Sequence, residues 1–274
     1  MRFASCRVGE RRFAAVVEGG EVRPLAGIAE LGADTDADLL ADPPVEDGTA
    51  HALEDVEMLP AVPRPGKIIC LGLNYHAHVE ETRRDLPTYP VLFTKFAESL
   101  VGPYAPIVKP PESSEVDYEA ELAVVIGRAA RRVAPEHALE FVAGYAVAND
   151  VTVRDYQYKT HQWLQGKSWS DSTPLGPFLV TPDEVGDPGK LDITLDLNGE
   201  RMQSSSTGLL IFDVPTIVST LSEFVTLEPG DVILTGTPGG VGYRRDPQVF
   251  LQPGDRVRVE ISGVGAIENE VVAE

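Results

Sequence analysis

The chain has 274 residues, of which 43% are hydrophobic, so it can bury a core as one large domain or as a medium domain with a small attachment. Its 23 basic residues against 43 acidic residues give a formal net charge of −20. Such an acidic surface repels phosphate backbones and anionic lipid and so disfavours nucleic acid and membranes as partners, whereas a bound cation can reverse the field locally for a small anionic substrate.

The N-terminal part of the chain predicts a small α/β unit, because short strand patterns with glycine turns are followed by an Ala/Leu-rich helical piece. The segment 59–66 then carries three prolines in eight residues. Proline removes a backbone donor and blocks a helix, so this segment is expected to be an extended linker. We therefore expect an N-terminal domain over residues 1–60 and a catalytic domain over residues 61–274.

The two cysteines, Cys6 and Cys70, are too few for a disulfide framework, and Cys70 lies in an apolar run that favours burial. The N-terminal residues lack the apolar region of a secretory signal, and no stretch approaches 18 uninterrupted apolar residues. We therefore expect a soluble protein with a cytoplasmic location.

A first acidic cluster lies in the segment 115–127, which reads as a strand. Side chains alternate between the two faces of a strand, so Glu119 and Glu121 share one face with Asp117, while the other face is apolar. The apolar tail of this strand predicts burial, and neighbouring buried carboxylates raise each other's pKa unless a positive charge compensates. Mg²⁺, Mn²⁺ or Ca²⁺ would provide that charge. The alternative is an ordinary solvated strand face, which would explain an isolated pair of glutamates.

A third carboxylate follows the next predicted strand, which is apolar from residue 144 until Asn149. Asp150 therefore emerges at the end of a second buried strand and could complete a site with three carboxylates. The alternative is that Asp150 caps the helix predicted over residues 152–162.

The remaining pattern is rich in strands. Asn198-Gly199 between two alternating runs predicts a hairpin, because both residues accept a positive φ. Helices are fewer and are predicted over 74–85, 135–142, 152–162 and 213–224. The expected class is α+β, dominated by strands.

Seven segments together resemble the fumarylacetoacetate hydrolase family, in order and in spacing, from about residue 64 to residue 272. They are Gly72-Leu-Asn-Tyr75, Asp117-Tyr-Glu-Ala-Glu121, Asn149-Asp-Val-Thr-Val-Arg-Asp155, Gly166-Lys167, Pro174-Leu-Gly-Pro177, Asn198-Gly-Glu200 and Thr235-Gly-Thr-Pro-Gly-Gly-Val-Gly242. The resemblance implies a mixed β-roll, a homodimer, and a site for Mg²⁺, Mn²⁺ or Ca²⁺. The metal ligands that it implies are Glu119, Glu121 and Asp150.

A histidine and a glutamate on the first predicted helix form a second cluster. His78 and Glu81 stand three residues apart, so they share a face, and a carboxylate beside an imidazole orients it as a base. The resemblance implies that this pair activates water and lies on a lid segment that orders over the substrate. His76 is the competing histidine.

The resemblance also assigns Lys167 as an electrophilic partner of the substrate carboxylate or enolate, and an exposed lysine is the alternative. The substrate contacts that we expect are Gln157, Thr237, Asn74 and Tyr75. A phosphate-binding loop ending at Lys167 is rejected, because His161 stands where that loop requires glycine. No Gly-x-Ser-x-Gly segment is present, which disfavours serine hydrolase chemistry.

The expected function is a divalent-metal-dependent hydrolase that cleaves a C–C bond of a small 2,4-dioxo acid, of acylpyruvate or fumarylpyruvate type, to pyruvate and an acid. The same enolate-stabilising site supports two alternatives, decarboxylation of oxaloacetate and isomerisation of 2-hydroxyhepta-2,4-diene-1,7-dioate from aromatic catabolism. An alternative of another class is a non-catalytic protein that binds metal and a 2-oxo acid. The presence of His78, Glu81 and Lys167 argues against it.

Overall fold

Five strands and one short helix form the N-terminal part of the chain, in a computed structural model that describes residues 1–274. They are β1 (Arg2–Val8), β2 (Arg11–Glu18), β3 (Glu21–Pro24), α1 (Ala37–Ala41), β4 (His51–Ala52) and β5 (Glu57–Met58). The first three strands pair in antiparallel order, as expected from their glycine turns.

Strands also dominate the rest of the chain, which confirms the predicted α+β class. The strands are β6 (Ile68–Gly72), β7 (Val91–Lys95), β8 (Leu100–Val101), β9 (Ile107–Lys109), β10 (Val116–Asp117), β11 (Ala120–Ile126), β12 (Val142–Asn149), β13 (Thr152–Val153), β14 (Thr173–Val180), β15 (Asp192–Leu197), β16 (Glu200–Ser206), β17 (Val232–Leu234), β18 (Arg256–Ile261) and β19 (Gly265–Ala273). The helices are α2 (His76–Thr82), α3 (Arg154–Gln157), α4 (Leu164–Lys167), α5 (Pro182–Val185) and α6 (Val214–Phe224). None of the helices is long and apolar enough to cross a membrane.

One sheet of 12 strands joins the two parts of the chain. Its order is β4-β3-β2-β1-β14-β12-β11-β17-β6-β7, with β5 added to β1 and β8 added to β14. The connection is the antiparallel pair of β1 and β14, in which Phe3 lies opposite Leu179. A five-stranded sheet, β16-β15-β18-β19-β9, and the pair β10-β13 complete the fold. The domain boundary near residue 61 stays a prediction.

Strand β11 is buried on both faces. Leu122 and Val124 belong to a core of 44 buried residues, whereas Ala123 and Val125 belong to a second core of 20. No face of this strand is left for solvent. The two glutamates at its start are accordingly 4% and 1% exposed, so the alternative of a solvated strand face is excluded.

Three of the four predicted helices are present as helical segments. They are α2, a 3₁₀ helix over Pro135–Phe141, and α6. The start of α6 is fixed by Asp213, whose carboxylate accepts the backbone N–H of Thr216 at 2.9 Å.

The helix predicted over residues 152–162 is largely wrong. Thr152 and Val153 form β13, which pairs with β10, and helix α3 ends at Gln157. Both residues are β-branched, and side chains of this kind fit a pleated, half-buried surface better than a helix.

The predicted hairpin at Asn198-Gly199 is confirmed between β15 and β16. Asn198 has a φ of 53° and Gly199 a φ of 84°. Two successive positive φ values match the twist of the flanking strands, so this turn fixes their register.

Cys70 is buried, as predicted. Cys6 and Cys70 are buried and free, and burial raises the pKa of Cys6 to about 12. Neither thiol is therefore available as a nucleophile near neutral pH.

Candidate metal centre and active site

The antiparallel pairing of β11 and β12 brings the three predicted metal ligands together. Ala120 lies opposite Asn149 in this pairing, so the glutamates beside Ala120 lie next to the aspartate that follows Asn149. One oxygen from each of Glu119, Glu121 and Asp150 can be chosen so that all lie within 4.8 Å of one another. Three carboxylates at this separation can share one cation.

Two buried lysines reach into the carboxylate cluster. Lys167 donates to Glu119 Oε2 at 2.6 Å and to Asp150 Oδ2 at 2.7 Å. Lys95 donates to Asp150 Oδ1 at 2.7 Å and also to the carbonyl oxygen of Val151 at 3.2 Å. Both oxygens of Asp150 are thus oriented by ammonium groups, which fixes this carboxylate rigidly.

Arg154 holds the other side of the cluster. Its guanidinium donates to Asp117 Oδ2 at 2.8 Å and to Gln157 Oε1 at 3.0 Å, and it lies 2.6 Å from Glu119 Oε1. Burial alone would raise the pKa of Glu119, but the charges of Lys167 and Arg154 outweigh it and hold the pKa at about 2. Glu119 is therefore ionised at neutral pH.

Glu121 differs from the other carboxylates because it has no cationic partner. It accepts the backbone N–H of Gly236 at 2.7 Å. Burial, followed by the negative charges of Asp150 and Glu119, raises its pKa well above the usual range. A buried carboxylate in this situation lacks the compensation that its neighbours have.

The charges of the cluster leave room for a cation. Four buried carboxylates face three buried basic groups: Asp117, Glu119, Glu121 and Asp150 against Lys95, Arg154 and Lys167. A divalent ion would outweigh this excess of one negative charge and supply the partner that Glu121 lacks. Because all three candidate donors are carboxylate oxygens, the set fits Mg²⁺, Mn²⁺ or Ca²⁺.

The predicted histidine–glutamate pair forms beside this cluster. His78 Nδ1 lies 2.7 Å from Glu81 Oε1, and Glu81 Oε2 accepts the backbone N–H of Gly240 at 2.8 Å. Helix α2 is thereby joined to the loop 235–242. A pocket opens over the cluster and is lined by His78 together with Glu119, Glu121, Arg154 and Lys167. The structure therefore brings a potential base to the carboxylates.

The predicted substrate contacts divide into two groups. Gln157 and Thr237 line the pocket, together with Lys167. Asn74 and Tyr75 are buried but do not line it. Their roles in substrate binding all stay predictions.

The side chain of Asn74 forms hydrogen bonds with backbone groups instead of lining the pocket. Its amide nitrogen donates to the carbonyl oxygens of Phe212 and Thr235 at 3.0 and 2.8 Å, and its Oδ1 accepts the N–H of Phe212 at 2.8 Å. This side chain fixes the start of α2 against the loop that carries Thr237.

Three positioning residues were missed in the sequence: Lys95, Arg154 and Gln203. Gln203 accepts the N–H of Ala120 and donates to Thr237 Oγ1, both at 2.9 Å, so it ties β11 to the loop 235–242. Arg154 could have been found, because it lies within the segment that contains Asp150. Lys95 and Gln203 follow ordinary strand patterns and carry no local signal.

Gly166 sets the separation of α3 and α4, and this gives a first prediction. A Cβ atom at Gly166 would lie 2.4 Å from the backbone nitrogen of Gln157. Gly166→Ala is expected to lower the free energy of unfolding by about 1–3 kcal/mol, because the two helices must separate. Gly32→Ala, where a Cβ meets nothing within 4 Å, is the matched control in urea unfolding. Equal stability of both variants would contradict the predicted close packing.

Comparisons with known proteins agree with this fold. The family description "Fumarylacetoacetate (FAA) hydrolase C-terminal" matches residues 67–272. Mitochondrial oxaloacetate tautomerase Fahd2a from Rattus norvegicus is 48% identical over 218 residues, which cover 79% of this chain and 70% of that protein. Mitochondrial oxaloacetate tautomerase FAHD2A from Homo sapiens is 48% identical over 220 residues, with 80% and 70% coverage.

Solved structures resemble the whole chain. Fumarylacetoacetate hydrolase from Exiguobacterium antarcticum has a TM-score of 0.88 at 38% identity, with 100% of both chains covered. The 2-hydroxyhepta-2,4-diene-1,7-dioate isomerase from Mycobacterium marinum has a TM-score of 0.85 at 34% identity, covering 100% of this chain and 99% of that one. Maleylpyruvate hydrolase from Sphingobium sp. SYK-6, in complex with manganese (II) and pyruvate, has a TM-score of 0.79 at 32% identity, with the same coverage.

The family match and the similar solved structures place this strand-rich fold in a class of enzymes. The chain belongs to the fumarylacetoacetate hydrolase family, whose members similar to it include tautomerases, isomerases and hydrolases. The predicted family is confirmed, as is the prediction that the protein is an enzyme. The alternative of a non-catalytic binding protein is thereby disfavoured.

The predicted cytoplasmic location is contradicted by these relatives. The tautomerases from rat, cattle and human are all named as mitochondrial proteins. The prediction rested on the lack of an apolar signal region, which is a criterion for secretion. Mitochondrial targeting segments are amphipathic and rich in arginine, so that criterion does not detect them.

Proposed function

We propose that this protein is a divalent-metal-dependent tautomerase that interconverts the enol and keto forms of oxaloacetate. The observation that carries the proposal is the 2.7 Å hydrogen bond between His78 and Glu81, in the wall of the pocket that also contains Glu119. Such an enzyme needs one oriented base next to groups that stabilise an enolate. The relatives at 48% identity with this activity in their names support the choice of substrate.

His78 is the base in this proposal. The Glu81 carboxylate can only accept a hydrogen bond, so the shared proton belongs to Nδ1 of His78. In the neutral imidazole, which is the form that acts as a base, Nε2 then keeps its lone pair. It takes a proton from the carbon next to the keto group of oxaloacetate, and the enolate oxygen takes up a proton from water to give the enol. In the reverse direction the enol O–H gives its proton to water, and His78 returns a proton to the carbon. The bond from Gly240 to Glu81 keeps the ring oriented.

Lys167 stabilises the negative charge that proton removal places on the substrate oxygen. Its ammonium group has three N–H donors, of which two bind Glu119 and Asp150, so one remains for a substrate oxygen. Burial alone lowers the pKa of Lys167, but the charges of Asp150 and Glu119 outweigh it and raise the pKa overall. Lys167 therefore stays protonated and acts as a donor, not as a base.

A divalent cation held by Glu119, Glu121 and Asp150 would supply Lewis-acid stabilisation of the substrate's negative charge. Lys95 has a supporting role, because it binds Asp150 Oδ1 and keeps that carboxylate in place. The manganese ion in the maleylpyruvate hydrolase of Sphingobium supports Mn²⁺ as one suitable ion.

Cleavage of a 2,4-dioxo acid to pyruvate and an acid is the second candidate function. It is favoured by the same oriented His78, which can equally remove a proton from a water molecule. The likeness to maleylpyruvate hydrolase at 32% identity supports it. Isomerisation of a hydroxy-dienedioate needs only the proton transfer. Decarboxylation of oxaloacetate needs only the groups that stabilise the enolate, which are the cation and Lys167.

One experiment separates these reactions. The purified protein, with Mg²⁺ or Mn²⁺, is given either an acylpyruvate or oxaloacetate freshly dissolved in its enol form. The ultraviolet absorbance of the enol is followed, and NMR identifies the products of both assays. Enzyme-dependent loss of the enol with oxaloacetate retained supports the tautomerase. Pyruvate from oxaloacetate indicates decarboxylation, and pyruvate from acylpyruvate without tautomerase activity favours the hydrolase.

We also propose that the protein is a homodimer that pairs through the groove between β7 and α6. Phe96 and Phe224 line this groove and are 54% and 58% exposed, and exposed aromatic side chains that share one apolar groove are typical of an interface. Replacing both with serine is expected to halve the molar mass measured by light scattering. Leu209→Ser, at a side chain 59% exposed outside the groove, is the control. An unchanged mass in the double variant would count against this interface.

A further inference from the structure

Four basic side chains line the candidate active-site pocket, and three of them are neutralised by the chain itself. His78 pairs with Glu81, while Arg154 and Lys167 both pair with Glu119. The fourth is Arg84, which lines the pocket, is exposed, and forms no salt bridge. It is therefore the cation of this pocket that is free to meet an anionic group from outside the chain.

The end of helix α2 fixes the position of Arg84. Arg83 adopts a left-handed conformation with a φ of 54°. Its N–H bonds to the carbonyl oxygen of Glu80 at 3.0 Å, and the N–H of Arg84 bonds to that of Val79 at 3.2 Å. These are the two hydrogen bonds of a Schellman motif. They turn the chain sharply after the helix and hold the backbone of Arg84 beside the pocket that its side chain lines.

We propose that Arg84 is a specificity-determining residue that binds the substrate carboxylate farther from the 2-oxo group. This inference rests on the proposed function, because oxaloacetate carries a second carboxylate and simple 2-oxo acids do not. The buried cations Lys167 and Arg154 are already paired with carboxylates of the chain. A second substrate charge at the mouth of the pocket is matched by the planar guanidinium of Arg84, which can bind a carboxylate through two parallel hydrogen bonds.

The pocket is therefore selective for 2-oxo dicarboxylates over 2-oxo monocarboxylates. Its buried end binds the 2-oxo acid unit that both kinds of acid share. Arg84 binds the second carboxylate, which only the dicarboxylates have. Arg83 offers a matched comparison, since it is the adjacent exposed arginine, has the same charge, and does not line the pocket.

The test compares malate with lactate, which have the same 2-hydroxy acid unit and differ in the second carboxylate. Calorimetry with the Mg²⁺-loaded protein measures the Kd of each. We expect wild-type protein and Arg83→Gln to bind malate more tightly than lactate. Arg84→Gln is expected to weaken malate binding about tenfold, equivalent to about 1.4 kcal/mol, and to leave lactate binding unchanged.

Three outcomes would overturn the role of Arg84: equal wild-type affinity for malate and lactate, including binding of neither; equal weakening of both acids by Arg84→Gln; or the same effect from Arg83→Gln. The test does not depend on turnover. If wild-type protein lacks tautomerase activity but prefers malate, and the Arg84→Gln variant does not prefer malate, the proposed reaction fails and the specificity role stands. If tautomerase activity is present and the preference does not change, the reaction stands and the role of Arg84 fails.

Discussion

Replacement of Glu121 by glutamine is expected to abolish both the response to divalent cations and nearly all catalytic activity. Glu121 is the carboxylate of the cluster without a cationic partner, so it depends on the ion more than Glu119 or Asp150 does. In wild-type protein, Mn²⁺ at one hundred times its Kd should stabilise the fold by about 2.7 kcal/mol, which raises Tm by about 5–10 °C. Glu121→Gln should show no such rise.

The same variant should be at least as stable as wild-type protein in the presence of a chelator. Glutamine keeps an oxygen for the N–H of Gly236 and replaces a carboxyl group whose charged form no basic group of the chain pairs with. Glu112→Gln removes an equal charge from an exposed position and is the control for changes in net charge. A Tm that rises with Mn²⁺ in Glu121→Gln as it does in wild-type protein would show that the ion binds elsewhere.

The carboxylate cluster could be predicted because its signals are local. Alternation along β11 puts Glu119 and Glu121 on one face, and the apolar residues that follow predict burial. Asp150 ends a second apolar strand. The antiparallel register of β11 and β12 makes these three residues neighbours. The two strands are joined through residues 127–141, which include a 3₁₀ helix, so the register itself has no local signal in the sequence.

The basic residues around the cluster could not be predicted in the same way. Lys95 binds Asp150 across 55 positions of the sequence, and its segment reads as an ordinary strand that ends in lysine. Asn74 shows the opposite difficulty: an amide suits a substrate contact, but the fold directs it to the backbone at positions 212 and 235. Residue type and spacing indicate possible chemistry, whereas side-chain direction depends on tertiary packing.

Replacement of His78 by glutamine is expected to lower kcat for oxaloacetate tautomerisation by about 10²–10⁴-fold, the usual contribution of a positioned base. Glutamine keeps a polar group near Glu81 but cannot accept and return a proton. The cation should still bind, because His78 forms no hydrogen bond with Glu119, Glu121 or Asp150. The rise in Tm with Mn²⁺ should therefore remain as in wild-type protein, which distinguishes loss of the base from loss of the metal site.

The control for this variant lies on the same helix. His76 is exposed and has no carboxylate partner, so His76→Gln should leave kcat unchanged. Glu81→Gln should lower kcat in the same direction as His78→Gln, because it removes the acceptor that orients the ring. Any decarboxylation of oxaloacetate should fall much less in His78→Gln, since that reaction needs the electron sink and no base. Full tautomerase activity in His78→Gln, together with a loss in His76→Gln, would move the base to the exposed histidine and leave the buried pair with a structural role.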